Sequence, residues 1–448
     1  MIFNQIELLK IVKPIWYYYL NLSNNTNYWI DYRKLSNSYK QIINYCEEYI
    51  SYDAALIDAA YQIWIRGFID TEGGKSLVFD HSFNICINDQ YRFIRRMFKP
   101  IWVYYVLFIR LISFNNPLRE FIAFLQTKNV HKININHPQF NHDEYNSFNS
   151  KLILDNPMVS IIIPTLNRYL YLKDALHDLE NQEYPNFEVI IVDQSEPFNE
   201  KFYEQFNLDI VLIRQKEMAL WLARNNAIRK SKSDYILFYE DDVRVQSQWI
   251  SNHLKTIDYF QSDVSVGVFY PKGEAIPKEK LNFHLAAQFP SGNAMVKKTV
   301  FKKTGLFDCQ FERMRMGDSE FGARCIKNGM LLISNPKAFC EDVKATEGGF
   351  RQIGIWDAYR PRLIFAPRPI PSVLYLYRKY WGDYAAILKL IQTVPFSLTS
   401  YSLKGEKIGY ILSFVVLLLL LPFVLVQVVF SWYLSTRMLK SSDRISQI

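Results

Sequence analysis

Between Met158 and Asp242 the chain alternates two kinds of segment, and that alternation limits its fold more than any other feature. "MVSIIIPT", "FEVIIVDQS", "DIVLIR" and "DYILFYEDD" are short β-branched or aromatic runs, whereas "YLKDALHDLENQ" and "MALWLARNNAIRKSKS" carry apolar residues at helical spacing. Strands alternating with helices of this length predict a parallel, doubly wound α/β sheet. In such sheets ligands bind beyond the carboxyl ends of the strands. Asp193, Glu240, Asp241 and Asp242 all fall at such ends. Carboxylates are rarely fully buried unless paired. The Glu-Asp-Asp triplet therefore has two readings, a site for a hard divalent cation or a solvated acidic turn with Lys or Arg partners. The triplet alone leaves both open.

A length of 448 residues predicts two or three domains. With 49% hydrophobic and 21% charged residues the chain can bury a core, which excludes general disorder. The net charge of +8 is dispersed rather than blocked. That argues against a nucleic-acid arm and for a basic surface facing anionic lipid or substrate. Five scattered cysteines without a CxxC pair suggest neither a zinc site nor a disulfide framework, and fit a reducing compartment. The N-terminus, with Glu7 and no basic start, does not read as a signal peptide. Residues 1–133 read as mainly helical, and Ile101–Phe114, short and carrying Arg110, as a buried or interfacial helix. "EGGKS" at 72–76 lacks the earlier glycine of a phosphate loop. Residues 134–156 are polar and Asn-rich, the composition of a linker. Residues 371–408 mix aromatics, aliphatics and basic residues, as expected of a segment lying along a membrane surface. Gly409–Leu434 is uncharged over a length that can cross a bilayer, with Trp432 and Tyr433 near its end and a short basic tail at 435–448. Pro422 allows a kink or a hairpin.

Five motifs, in order, resemble a family-2 glycosyltransferase of the GT-A fold over about residues 157–370. "VSIIIPTLNRYLYLKDALHDLENQEYPNFEVIIVDQS" is similar to the family's opening and "LARNNAIRKSKSDYILFYEDDV" to its centre, where "EDD" stands in the place of the DxD motif. "GNAMVKKTVFKKTGLFD" and "GDSEFGARCIKNG" resemble the acceptor-side half, and "CEDVKATEGGFR" the segment ending in Gly-Gly and Arg. The resemblance implies an α/β chain with a GT-A-like doubly wound mixed sheet, flanked by a mainly helical N-terminal region and a C-terminal transmembrane helix. It implies that Pro164, Thr165, Asn167, Asp193, Arg224, Asn225 and Asp241 serve the donor, and that Gly292 and Asn293 lie on the acceptor side. It further implies that Glu240 and Asp242 hold Mn²⁺ or Mg²⁺, and that Asp318 is the general base with Glu320 beside it. Departures from the family pattern are Glu at the first DxD position, Gly317 before the presumptive base, and Asp342 where relatives often carry His. Asp342 reads as a third metal ligand or as a surface acid beside Lys344. Asp318 could also be a helix N-cap. Lys344 and Arg351, around Gly348 and Gly349, could contact phosphates or be solvated charge.

Three other readings fit the sequence less well. A sugar-phosphate nucleotidyltransferase needs a glycine-rich basic loop after the first strand, and "PTLNRYLYLKD" has no glycine. A processive synthase carries several spans and a QxxRW motif, which "RQIGIWDAYRPR" does not match. A non-catalytic module binding a glycan or protein remains the alternative. The expected activity is inverting, metal-dependent transfer of one sugar from a nucleotide sugar to a hydroxyl of a glycan or glycolipid acceptor. The catalytic domain is expected to face the cytoplasm beside a membrane.

Overall fold

The computed structural model describes residues 6–20, 30–69, 85–135, 139–273, 280–286, 288–343, 345, 349, 356–361, 363, 365–399, 403, 406–441 and 445–448. Lys344, Gly348 and Arg351 lie outside the described residues.

The predicted strands form. They are β1 (Val159–Thr165), β2 (Phe187–Asp193), β3 (Ile210–Arg214) and β4 (Tyr235–Tyr239), followed by β5 (Val243–Val245), β6 (Val264–Pro271), β7 (His284–Leu285), β8 (Asn293–Lys297) and β9 (Leu332–Asp342). They build one sheet in the order β3-β2-β1-β4-β8-β6-β9-β5, with β7 on β9. The β1–β2, β1–β4 and β2–β3 pairs are parallel, so the first half is the doubly wound sheet expected. β8 runs antiparallel to β4 and β6 and makes the sheet mixed. β9 pairs parallel with β6 along its length, and its last residues, Cys340–Asp342, also pair antiparallel with β5 on the other edge, setting Asp342 opposite Val243.

Side-chain alternation along the strands feeds two cores. Ile161 and Ile163 enter one with Leu172, Leu176 and Trp249. Ile162 enters the other with Ala223, Phe238 and Phe321. Each such side chain, fully buried, contributes about 1.5–3 kcal/mol.

Residues before the sheet are mainly helical, as predicted. The helices Tyr52–Ile65, Ile87–Met97, Pro100–Ile112 and Pro117–Gln126 surround their own core. Asp58 is buried there and accepts from the Tyr49 hydroxyl at 2.6 Å and from Arg96 Nε at 2.8 Å. Residues 134–156 connect the two parts but are not a loose linker. Phe140 and Tyr145 are buried, and the Tyr145 hydroxyl is 3.0 Å from Thr256 Oγ1. Ser150 Oγ donates to Asp258 at 2.7 Å. The polar composition here supplies hydrogen bonds to the helix Trp249–Tyr259 rather than freedom.

After the sheet, the helix Pro371–Thr393 breaks at Gly382, where φ is +84°. Its first half corrects the expectation of a membrane-surface segment. Val373, Leu374, Tyr375 and Leu376 are buried in the same core as Phe321. The second half places Leu388 in the N-terminal core and exposes Tyr384, Ile387 and Ile391. The helix Lys407–Lys440 follows and is continuous through Pro422, so no hairpin forms there. Its residues Leu412–Lys440 are long and apolar enough to cross a membrane. One stripe of this helix, including Val424, Gln427, Ser431 and Ser435, is buried against the rest of the chain. Arg368 Nε donates to Gln427 Oε1 at 2.9 Å.

One buried titratable group makes the sheet's stability depend on pH. His253 is fully buried; its Nε2 lies 3.0 Å from Asn293 Oδ1 and its Nδ1 2.9 Å from Ser265 Oγ. Burial pushes its pKa down from 6.5 to about 4. Between those values the unfolded chain takes up a proton that the folded chain refuses, so stability falls as pH drops through the window. The full loss below about pH 4 is about 3 kcal/mol. Thermal unfolding of solubilised protein at pH 7 and pH 4.5 should show this, and His253→Gln should flatten the dependence. An unchanged slope in the variant would assign the acid sensitivity to other groups.

Candidate active site

The carboxyl ends of β1, β2 and β4 carry the rim predicted from the sequence. Asp241 and Asp242 are both buried. They tolerate burial because Arg168 Nη1 lies 2.9 Å from Asp241 Oδ1 and 3.1 Å from Asp242 Oδ2. Thr165 Oγ1 donates to Asp241 Oδ2 at 2.8 Å. Burial, with Asp242 alongside, still pushes the Asp241 carboxyl up to about 6, against the pull of Arg168. Arg168 follows Asn167 directly in "PTLNRY", and its place at the end of β1 was the one signal that could have found it. Gly349 explains the glycine of the "EGGFR" segment. Its φ is +75°, and a Cβ there would come within 2.3 Å of Arg168 Cζ. The Gly349 amide donates to Leu166 O at 2.8 Å, so this backbone crosses directly over the guanidinium.

Glu240 is half-buried. Its carboxylate lies where a Cβ on Gly292 would fall, 2.4 Å from Cδ, so Gly292 is the residue that lets Glu240 occupy this position. Arg224 Nη2 is 3.7 Å from Glu240 Oε1. Arg224 is fully buried over the Trp221 ring, and its Nε and Nη1 have no hydrogen-bond partner. Burial lowers its pKa, and the charges of Glu240, Asp318 and Glu312 oppose that. Glu312 Oε1 accepts the Leu222 amide at 2.8 Å and so caps the helix Leu220–Lys230.

Asp318 lies in the first turn of the helix Gly317–Lys327. Its Oδ1 accepts the Ser319 amide at 2.8 Å. Burial raises its pKa, with Arg224 and Arg315 pulling the other way. Gly317 is required by packing. A Cβ there would lie 2.4 Å from the Trp221 ring, which fills the space a side chain before Asp318 would need.

Several predicted residues are committed elsewhere. Glu320 is fully buried; it accepts from Arg324 Nη2 at 2.9 Å and from the Tyr380 hydroxyl at 2.5 Å, with Lys379 Nζ 3.5 Å away. It anchors the helix and has no carboxylate facing the rim. The Asn225 side chain exchanges hydrogen bonds with the Phe307 backbone, both at 2.9 Å, and thereby holds the 305–311 segment. Asn293 is fully buried. Its Oδ1 accepts from Trp249 Nε1 at 2.9 Å and its Nδ2 donates to Ala338 O at 3.0 Å, so its side chain serves the sheet and not an acceptor. Asp193 accepts the hydroxyls of Tyr169 and Tyr203 at 2.6 and 2.7 Å and the Ser195 amide at 2.8 Å. Asn167 takes a positive φ of 54°, and its Oδ1 accepts the Glu196 amide at 2.9 Å. Pro164 is buried within β1. Asp342 reaches the rim, and the Val343 amide after it donates to Asp242 O at 3.2 Å.

Among the described residues no three His, Cys, Asp or Glu side chains converge as a ready cage for a cation. The donor chemistry nonetheless fits a hard divalent ion that takes one or two carboxylates and fills its shell with phosphate and water oxygens. Glu240 and Asp242 carry such oxygens, and the unpartnered Nε and Nη1 of Arg224 lie on the residue beside Glu240.

Residues 160–317, about a third of the chain, match the model of Glycosyl transferase family 2, which bears out the resemblance drawn from the motifs. The chain is similar to Glycosyltransferase GlyA of Streptococcus pneumoniae, 25% identical over 168 residues that make up 37% of this chain and 23% of that protein. It is also similar to Poly(ribitol-phosphate) beta-N-acetylglucosaminyltransferase TarS of Staphylococcus aureus, 28% identical over 112 residues, 23% of this chain and 20% of that one. The chain thus spans less than a quarter of the length of either relative. The crystal structure of Staphylococcus aureus TarS 1–349 with UDP-GlcNAc overlaps 57% of this chain and 79% of its own, at 18% identity and a TM-score of 0.42. That overlap is too loose to assign roles to residues.

Arg168 is the residue on which the rim charges depend. Removing one partner of a buried ion pair costs about 3–5 kcal/mol. Arg168→Ala should lower thermal stability by that order, and adding Asp241→Asn should recover part of it. Unchanged melting of Arg168→Ala would show that the carboxylates are compensated by other groups.

Proposed function

We propose that this chain transfers a single sugar from a nucleotide-sugar donor to a hydroxyl acceptor, with inversion and with help from Mn²⁺ or Mg²⁺. The observation that carries the reading is Arg224, a fully buried cation with two unpartnered nitrogens beside Glu240 and Asp318. A buried N–H without a partner costs about 1–3 kcal/mol, and a fold keeps such a group where a ligand satisfies it. Diphosphate oxygens have the charge and the acceptor capacity to do so.

Asp318 then acts as general base. Its raised pKa and its place in the first turn of the helix suit it to take the proton from an acceptor hydroxyl as that oxygen attacks the anomeric carbon. One base and direct attack give inversion. Glu240 and Asp242 would hold the divalent ion, with Asp342 nearby on β9. When bound, that ion neutralises charge developing on the leaving diphosphate. Arg224 does the same from the protein side. Thr165, Asn167 and the buried Asp193 shape the donor pocket; a direct bond from Asp193 to the base would need Tyr169 or Tyr203 to yield. The acceptor is a lipid-linked or surface glycan. This rests on the C-terminal helix, long and apolar enough to span a membrane, and on a relative whose name specifies poly(ribitol-phosphate). The catalytic domain faces the cytoplasm.

The test is release of free nucleotide from a panel of nucleotide sugars, with Mn²⁺, Mg²⁺ or EDTA. Turnover of one donor, abolished by EDTA and by Asp242→Ala, is expected. Asp318→Asn should lower kcat by about 10²–10⁴ while leaving donor binding in place. Metal-dependent donor binding without any turnover would favour a non-catalytic glycan-binding module. Full activity of Asp318→Asn would remove that residue from the base role.

A further inference from the structure

The N-terminal helices expose an apolar face that the proposed reaction does not use. In the helix Pro100–Ile112, Ile101, Tyr104, Phe108 and Ile112 are exposed at a spacing that puts them on one side. In the next helix, Pro117–Gln126, Leu118, Phe121, Ile122 and Leu125 repeat the pattern. Between them Phe114, 98% exposed, caps the turn with φ at +57°. A monomer in water rarely leaves such a contiguous face open.

The polar groups of this hairpin are arranged as a lipid contact requires. Its one acid, Glu120, is buried; it pairs with Arg110 Nη2 at 2.7 Å and accepts the Tyr91 hydroxyl at 2.9 Å. The remaining charges from 99 to 132 are the exposed cations Lys99, Arg119, Lys128 and Lys132. An apolar, aromatic face rimmed by cations alone complements an anionic headgroup layer, and a charged protein partner far less.

The face also continues into the C-terminal part. Tyr105, one residue from Tyr104, has its hydroxyl facing Gln392 and Tyr384. Gln392 Nε2 donates to Ile11 O at 2.8 Å and locks the helix Pro371–Thr393 to the N-terminal region. Tyr384, Ile387 and Ile391 extend the exposed stripe, and Phe396 carries it to Phe414 of the helix Lys407–Lys440, with ring centroids 6.4 Å apart. We infer that the hairpin 100–126 is a second membrane contact, lying in the lipid interface with Phe114 dipped into it, continuous with the C-terminal span. The inference rests on that helix being a span.

Nitroxide labels in full-length protein test it, on a Cys86→Ala, Cys309→Ala background. Labels go at Phe114→Cys in the hairpin, Leu419→Cys in the span and Glu204→Cys on the catalytic domain. The protein is reconstituted in phosphatidylcholine–phosphatidylglycerol vesicles, and accessibility to oxygen is compared with accessibility to an aqueous nickel complex. The labels at 114 and 419 should both favour oxygen, with the label at 204 favouring nickel. Ile101→Cys should follow 114. A label at 419 in lipid with 114 and 101 in water would overturn the hairpin contact and leave the span standing. Labels at 419 and 114 both in water would overturn both. Dipolar broadening at 114 that vanishes on dilution with unlabelled protein would assign the face to a second copy of the chain and overturn the lipid contact.

Discussion

Two carboxylates held out of water at the ends of the strands need a cation, and in this chain Arg168 is that cation. Asp241 and Asp242 approach it within 2.9 and 3.1 Å, and all three groups are buried. The surrounding chain conforms to this contact. Thr165 ends β1 with a hydroxyl that satisfies another oxygen of Asp241. Gly349 crosses the guanidinium where any Cβ would collide with it. The end of β9 lies between β6 and β5, and the Val343 amide that follows it donates to Asp242 O. Arg168 thus offsets part of the rim's charge within the fold, while Arg224 nearby keeps two nitrogens unpartnered.

The sheet was legible because its strands are written as β-branched runs with turn residues after them, and burial on both faces demands little more. The rim was legible for the same reason, since a carboxylate after an apolar run has one place to go. Chemistry at single positions was less legible. Asn225, Asn293 and Glu320 have residue types suited to a ligand, yet each spends its polar atoms inside the fold. The partners that claim them come from distant segments, such as Tyr380, which reaches Glu320 across 60 residues of sequence. No local spacing reveals that. Lys or Arg partners for the carboxylates are one of the two readings the sequence leaves open, but no local spacing singles out Arg168 among them. The sequence of 371–408 reads as one segment along a membrane surface, whereas Gly382 divides the helix Pro371–Thr393 within it into a buried half and a partly exposed half.

Anchorage of the helix Gly317–Lys327 links the rim to the rest of the molecule. Glu320 sits on the same helix as Asp318 and is gripped by Arg324, Tyr380 and the nearby Lys379. The Tyr17 hydroxyl donates to Ser319 O at 3.3 Å, and Tyr17 packs edge-on against Trp381. Residues from the two ends of the chain therefore converge on the turn that carries Asp318. The N-terminal region is in this sense part of the framework that holds this turn, despite lying before the matched family segment.

The break at Gly382 gives that anchorage a geometric meaning. On one side of it Tyr380 holds the helix of Asp318; on the other, Tyr384, Ile387 and Ile391 face outward beside the hairpin. Only a few residues of one helix separate the two, with no flexible stem between them. An enzyme on a tether samples a range of heights above a bilayer. This chain would behave as a ruler, presenting its rim at one fixed elevation, so that acceptors would be sorted by how far their reactive hydroxyl stands from the lipid as well as by their chemistry.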